Sequence, residues 1–266
     1  MASVRDWIVR LALLVAMAIP IFFAFASLGS RFGLITWQFG LGVMTMRWGP
    51  LLLMGAAGLA VLALLLALLI QPRRGWRAAL AALLIPALGL GYAMQVRSTA
   101  GALPPLHDVS TDLDDPPNFS ERVTAQRALV EDGNSLEREG VEMPGGERWA
   151  AFAGMSLEDA QRSAYPDIAP TLTSAAPDAA YAAALEAAQA QGWTIGETDE
   201  AEGRIEATAQ SFWFGFIDDI AIRVRPQGEG SRIDVRSVSR VGLSDLGANA
   251  ARIRAYREDL RSRLPQ

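Results

Sequence analysis

Three stretches of this chain carry no charged residue: 20 residues between Arg10 and Arg31, 25 between Arg47 and Arg73, and 19 between Arg77 and Arg97. A hydrocarbon core of about 30 Å is crossed by about 20 helical residues at roughly 1.5 Å rise each. The LLLMGAAGLAVLALLLALLI run has no polar face to turn toward water, which excludes an ordinary amphipathic helix there. The spacing predicts three spanning helices over residues 11–28, 51–70 and 78–94, with Pro20 and Pro86 kinking the first and third. No Asp, Glu, His or Arg falls inside these spans, where transporters and pumps keep ionisable groups to bind ions or relay protons. The helices therefore read as an anchor, and the lipid bilayer is the first expected partner.

Orientation follows from the arginines in the short flanks. Arg5, Arg10, Arg73, Arg74 and Arg77 lie on one side of a three-span arrangement, and Arg31, Arg47 and Arg97 on the other. The richer set is expected in the cytoplasm, which places the C-terminal part outside. A secretory leader is the competing reading of the first run, with Arg5 and Arg10 as its basic start and Ala24-Phe25-Ala26 as a small-x-small cleavage site. The run is long for a leader, and its removal would leave the orientation unchanged. Phe32 to Met46 is a fourth uncharged stretch, of 15 residues. It is short for a span and is expected as an interfacial helix.

Beyond Arg97 the chain changes character. Met1 to Arg97 hold 8 Arg and one Asp, a net +7, whereas Ser98 to Gln266 hold 16 Arg and 28 acids, a net −12. Lys and Cys are absent and His107 is the single histidine, so disulfides, thiol nucleophiles, Cys-ligated zinc and multi-histidine metal sites are excluded. Residues 98–172 are rich in Pro, Asp and other charges and are expected to form a tether and an irregular segment. From residue 173 the pattern is regular. Pro177-Asp178 suits the first turn of a helix ending near Gly192. Ile205, Ala207 and Ala209 alternate with polar residues, as do Ile220, Ile222 and Val224, and then Ile233 and Val235 after a Gln227-Gly228-Glu229-Gly230 turn. Leu246, Ala250, Ile253, Leu260 and Leu264 recur at helical spacing behind a Ser244 or Asp245 cap. The expected class is α+β: an N-terminal helical transmembrane region of three spans over residues 1–97, and a two-layer antiparallel sheet domain over 173–266 with its helices on one face.

Four segments carry a family resemblance: HDVSTDLDDPPNF, YPDIAP, GRIEATAQSFWFGFIDDIAIRVRP and RIDVRSVSRVGLSDLGANAARIRAY. Together they resemble the bacterial domain of unknown function numbered 1499, over roughly His107 to Leu264. Several relatives carry this domain behind a few membrane spans. Others have Cys after the Pro-Asn pair, where this chain has Phe119, so a role tied to that thiol does not carry over. The resemblance implies a fold and a place in the bacterial envelope, at the inner membrane, but no reaction.

Candidate chemistry is sparse. Asp218 and Asp219 follow the aromatic run Phe212-Trp213-Phe214-Gly215-Phe216. Paired carboxylates do acid/base work where they converge, but strand neighbours point to opposite faces, which favours one capping a turn and the other pairing with Arg. His107 stands among Asp108, Asp112, Asp114 and Asp115 without the spacing of a calcium loop. The polar sheet face presents Arg204, Glu206, Arg223, Arg225, Arg232, Asp234 and Arg236. It reads either as a solvated face of weak ion pairs or as an anion-binding face, with the Asp-rich tether as an intramolecular counter-charge. Trp213 reads as strand-edge packing or as a residue dipping into the membrane interface. No cofactor or metal is expected, and the net negative charge speaks against nucleic acid. The sequence predicts a non-enzymatic, membrane-anchored envelope protein whose extracytoplasmic domain binds a partner or an anionic ligand. Its candidate residues are Arg223, Arg225, Arg236, Asp218, Asp219 and Trp213. An envelope enzyme using Asp218 or Asp219 with neighbouring arginines is the alternative. Oligomeric state is not written in the sequence.

Overall fold

The uncharged runs become three long helices in the computed structural model, which describes residues 2–265. Helix α1 spans Ala2–Arg31 and passes through Pro20. After a turn, Gln38–Trp48 is π-helical and passes directly into α2, Gly49–Leu69. Helix α3 covers Trp76–Ala102 and passes through Pro86. Val4–Arg31, Gln38–Leu69 and Trp76–Ala102 are each long and apolar enough to cross a membrane. The stretch expected as a separate interfacial helix is thus the first part of the second long helix. The wider π turns explain the continuity. The Gly49 N–H bonds the Met44 carbonyl, five residues back, just where Pro50 would otherwise break an α-helical ladder.

The chain divides into two compact units, Met1–Ser98 with Phe212–Gly215, and Thr99–Ser211 with Phe216–Gln266. Within the first, the helices meet through small residues: Ala12 and Ala16 of α1, Ala60, Ala63 and Ala67 of α2, Ala79 and Ala82 of α3. Such residues let helix backbones approach closely where lipid offers no hydrophobic drive. Gly40 shows the limit, because a Cβ there would collide with the Ala26 carbonyl oxygen. Arg5 is buried and donates to Asp6 and to the carbonyls of Ile70 and Pro72, closing the C-terminal end of α2.

The second unit is a six-stranded antiparallel sheet. Its strands are β1 (Asp108–Ser110), β2 (Thr171–Thr173), β3 (Thr194–Asp199), β4 (Arg204–Gln210), β5 (Ile217–Gln227) and β6 (Gly230–Ser239). They run in the order β1-β6-β5-β4-β3, with β2 also on β6. A two-residue turn with Gly228 at φ +60° joins β5 to β6, in the glycine-dependent geometry that matches strand twist. Helices α6 (Pro177–Ala190) and α7 (Ala248–Arg263) cover one face, as the alternation predicts. Their Ala180, Ala184, Ala187, Ile253, Tyr256 and Leu260 pack on Ile205, Ile220, Ile222, Val224, Ile233 and Val235. Trp193 stacks on Tyr256 at 5.2 Å, and the Tyr256 hydroxyl donates to the Ala184 carbonyl. The N-cap of α7 is Gly247, not the expected Ser244 or Asp245, and Asp245 ahead of it accepts from the N–H groups of Gly247 and Asn249 at 2.7 and 2.8 Å.

Residues 98–172 differ from the expected tether. They supply β1 and β2 and the short helices α4 (Glu121–Ala128) and α5 (Leu157–Ala164). Leu106, Val109, Leu157, Ala160, Tyr165 and Ile168 join the core. Between β1 and β2, Thr111 completes the edge of β6: its N–H donates to the Val235 carbonyl and its hydroxyl accepts from the Val235 N–H. The rest, through Arg138, lies across the sheet face opposite α6 and α7. The physical reason is charge. Carboxylates that read as solvated find arginines on β5 and β6, of which Arg236 is buried, so composition misled where partners were distant in sequence.

Candidate functional site

The polar face of the sheet sets arginines against each other. Arg204 pairs in register with Arg223, and Arg225 with Arg232. Like charges directly opposite destabilise a sheet unless something neutralises them. Asp234, fully buried on β6, does part of this, lying 3.0 Å from Arg232, 3.1 Å from Arg225 and 3.4 Å from Arg223. The strap over this face does the rest. Asp112 Oδ2 stands 2.6 Å from Arg232, 3.3 Å from Arg225 and 3.5 Å from Arg223. Its other oxygen accepts the N–H groups of Asp114 and Asp115, which holds the carboxylate in place. Asp115 adds contacts of 2.7 Å to Arg225 and 3.2 Å to Arg223. The hydrogen bond from Arg225 keeps the Asp115 carboxyl below the usual carboxylate range. Three guanidiniums thus meet three carboxylates, with Asp115 outermost at 58% side-chain exposure and Arg225 at 37%. Of the readings the sequence left open, the Asp-rich segment lies on this face as its counter-charge, so the face is covered and internally neutralised.

Arg236 departs furthest from expectation. It is 3% exposed and binds Asp108 through two nitrogens at 3.1 and 2.8 Å. It also donates to the carbonyls of Leu136 and Pro117, and lies over the Phe119 ring at 5.5 Å. Arg138 approaches the same Asp108 at 2.7 Å. This arginine is interior structure and offers no surface to a ligand.

Asp218 and Asp219 point to opposite faces, so the structure does not bring them together. Asp218 meets Arg252 of α7 at 2.5 Å on the helical side. Asp219 meets Arg127 of α4 and Arg240, both at 2.7 Å, on the strap side. Each carboxylate is engaged, and together they fasten a layer to each side of β5. Trp213 is exposed and sits edge-to-face with Phe212 at 4.8 Å. His107 is partly buried, and that burial lowers its pKa. Among the described residues, no group of three or more His, Asp or Glu is placed to hold a metal ion.

Two features escaped sequence reasoning. Glu206, buried on β4, accepts from the Ser120 backbone N–H at 2.5 Å and its hydroxyl at 2.7 Å, pinning the start of α4. Beside it, a depression of about 170 Å³ is lined by Pro117, Asn118, Glu202, Arg204, Ile222 and Arg223. The Nε atoms of Arg204 and Arg223 are buried and have no hydrogen-bond partner. Arg204 also lies 3.1 Å from Glu197, and Arg223 keeps the contacts to Asp112, Asp115 and Asp234 given above. The alternation of β4 and β5 put both arginines on one face, but the strap residues that wall the depression gave no sequence signal.

Comparison with known proteins adds a family. No curated protein matches the chain. Among solved structures, the crystal structure of TTHA0849 from Thermus thermophilus is similar at 12% identity, over 36% of this chain and 93% of that one, with a TM-score of 0.24. Residues 108–260, from the first strand of the sheet through most of α7, match the family described as "Protein of unknown function (DUF1499)", and the chain belongs to that family.

Proposed function

We propose that this chain is a membrane-anchored binding protein of the cell envelope. Its α+β domain lies outside the cytoplasm and accepts an anionic group, a carboxylate or a phosphate, at the Arg204–Arg223 depression. The observation that carries this reading is the pair of arginines, Arg204 and Arg223, that line the depression together. Guanidinium groups favour such anions because their fixed N–H fork matches two oxygens at once. The outward orientation rests on the arginine asymmetry of the helix flanks. The opposed directions of Asp218 and Asp219 remove the geometry that a paired-carboxylate enzyme would need.

The test is calorimetric titration of the full chain in detergent with inorganic phosphate and with citrate at low salt. Saturable binding, lost in Arg204→Gln and Arg223→Gln but kept in Arg254→Gln, is the expected result. Arg254 is a fair control because it pairs with the exposed Asp167 on α7's outer side. Raising the salt should weaken the binding, since exposed charge is screened over about 8 Å at physiological ionic strength. Absence of saturable binding, or equal binding by all variants, refutes the reading.

A further inference from the structure

Both terminal nitrogens of Arg223 are already engaged within the domain. Its Nη1 lies 3.2 Å from the Asp115 carboxylate. Its Nη2 donates to the Asp115 carbonyl at 2.6 Å, and to the Asp234 and Asp112 carboxylates at 3.4 and 3.5 Å. An anion that reaches Arg223 through the depression therefore has to displace one of these acceptors. The three carboxylates differ in how readily they can leave.

Asp234 is fully buried on β6 and is shared among Arg223, Arg225 and Arg232. Asp112 is buried too, and its second oxygen holds the N–H groups of Asp114 and Asp115. Pulling either away would strip charged groups of their partners out of reach of water, which is costly. Asp115 is placed differently. More than half of its side chain is exposed, and its carboxylate meets Arg225 and Arg223 from the outer side. Rotation about its own Cα–Cβ bond takes that carboxylate into water without moving the backbone. The backbone there is held on both sides, by the Asp115 N–H bond to Asp112 and by Pro116 and Pro117 with their fixed φ.

Charge gives the second argument. Arg223, Arg225 and Arg232 carry three positive charges, of which the two fixed carboxylates, Asp112 and Asp234, cancel two. Asp115 balances the third from outside. An oxyanion with one negative charge can take its place, so that exchange leaves the face neutral. Pro117, two residues beyond Asp115, lines the depression together with Arg223, so the internal carboxylate and the entering anion meet at one guanidinium.

We infer that Asp115 is an internal ligand of the anion site, held by Arg223 and Arg225 until an incoming carboxylate or phosphate takes Arg223 in its place. The inference rests on the anion-binding reading above and adds the regulation of that site. The strap sets the anion concentration at which the site fills. It also favours anions whose oxygens span Arg204 and Arg223, because Asp115 holds Arg223 and Arg225 while Arg204 is paired with Glu197.

The test is calorimetric titration of the full chain in detergent with inorganic phosphate at low salt, comparing wild type, Asp115→Asn and Asp114→Asn. Asp114 is the control: it is the preceding residue and the charge change is identical, but its almost fully exposed side chain pairs with Arg162 of α5. The expected Kd is about two- to fivefold tighter in Asp115→Asn, the scale of an exposed ion pair. It is unchanged in Asp114→Asn, and binding is lost when Arg204→Gln is added to Asp115→Asn. A melting temperature near wild type shows that the fold survives each change. Saturable binding that is equal in wild type and Asp115→Asn overturns the inference and leaves the anion-binding reading standing. Equal tightening in Asp114→Asn also overturns it, because the effect would then be one of net charge. Absence of binding by wild type and Asp115→Asn alike overturns both.

Discussion

Replacing Arg236 with glutamine separates an interior arginine from the rim arginines that look identical in the sequence. Arg236 makes two bonds to Asp108 and two to backbone carbonyls, all out of solvent. Removing one partner of a buried pair destabilises by about 3–5 kcal/mol, because the other charge stays behind. Arg138 remains 2.7 Å from Asp108 and compensates in part, so the lower end, about 3 kcal/mol, is expected. For a domain of this size that is a fall in Tm on the order of 6–12 °C. Arg225→Gln is the contrast. Its side chain is 37% exposed, and such pairs contribute less than about 1 kcal/mol. Urea unfolding of a fragment from Thr99 onward, followed by the fluorescence of Trp149, Trp193 and Trp213, gives both numbers. Arg236→Gln and Asp108→Asn combined should cost less than the sum of the two alone, with a coupling of about 1 kcal/mol or more. Equal effects of Arg236→Gln and Arg225→Gln, or additivity of the pair, would refute the distinction between buried clamp and solvated rim.

The same geometry sets further expectations. Ser98→Cys should react with a membrane-impermeant thiol reagent on intact cells while Gly75→Cys should not, and the reverse pattern inverts the proposed topology. A fragment from about Ala102 should unfold cooperatively, whereas one from Thr173 should not fold, because it lacks β1, β2 and the core residues Leu106, Val109 and Tyr165; a cooperative melt of the shorter fragment would show the strap to be dispensable. His107 has its pKa lowered from 6.5 by burial, so the folded state resists its protonation. Its contribution is present above 6.5 and is lost as pH falls through the lowered folded value, so His107→Gln should flatten the stability profile on the acid side of neutrality.

How far the sequence could be read depended on the distance between partners. The alternation of Ile220, Ile222 and Val224 with Arg223 and Arg225, and the turn at Gly228, are local signals, and they specified the central hairpin and its two faces. Ala250, Ile253 and Leu260 at helical spacing marked α7. The strap was illegible because its strands are three residues long and show no period. Its cohesion comes from pairs such as Asp108 with Arg236, 128 positions apart, and Asp112 with Arg232, 120 apart. An acidic run looks solvated until its counter-charge is known. The same fact decided the candidate site: Arg223, Arg225 and Arg236 are equivalent by alternation, but only the strap determines which is rim and which is interior.

The closing of β6 by β1, Thr111 and β2 bears on how the domain forms. These edge pieces lie ahead of β6 in the chain, yet none can pair until residues 230–239 exist. During synthesis β1 and β2 are therefore made before their partner strand, whereas the β3 to β6 hairpins join near neighbours. Docking the strap then closes loops of more than a hundred residues, at an entropic penalty that grows only with the logarithm of their length. Folding should therefore show a late step, insensitive to substitutions in the β5–β6 hairpin and slowed by loss of Asp108 or Thr111.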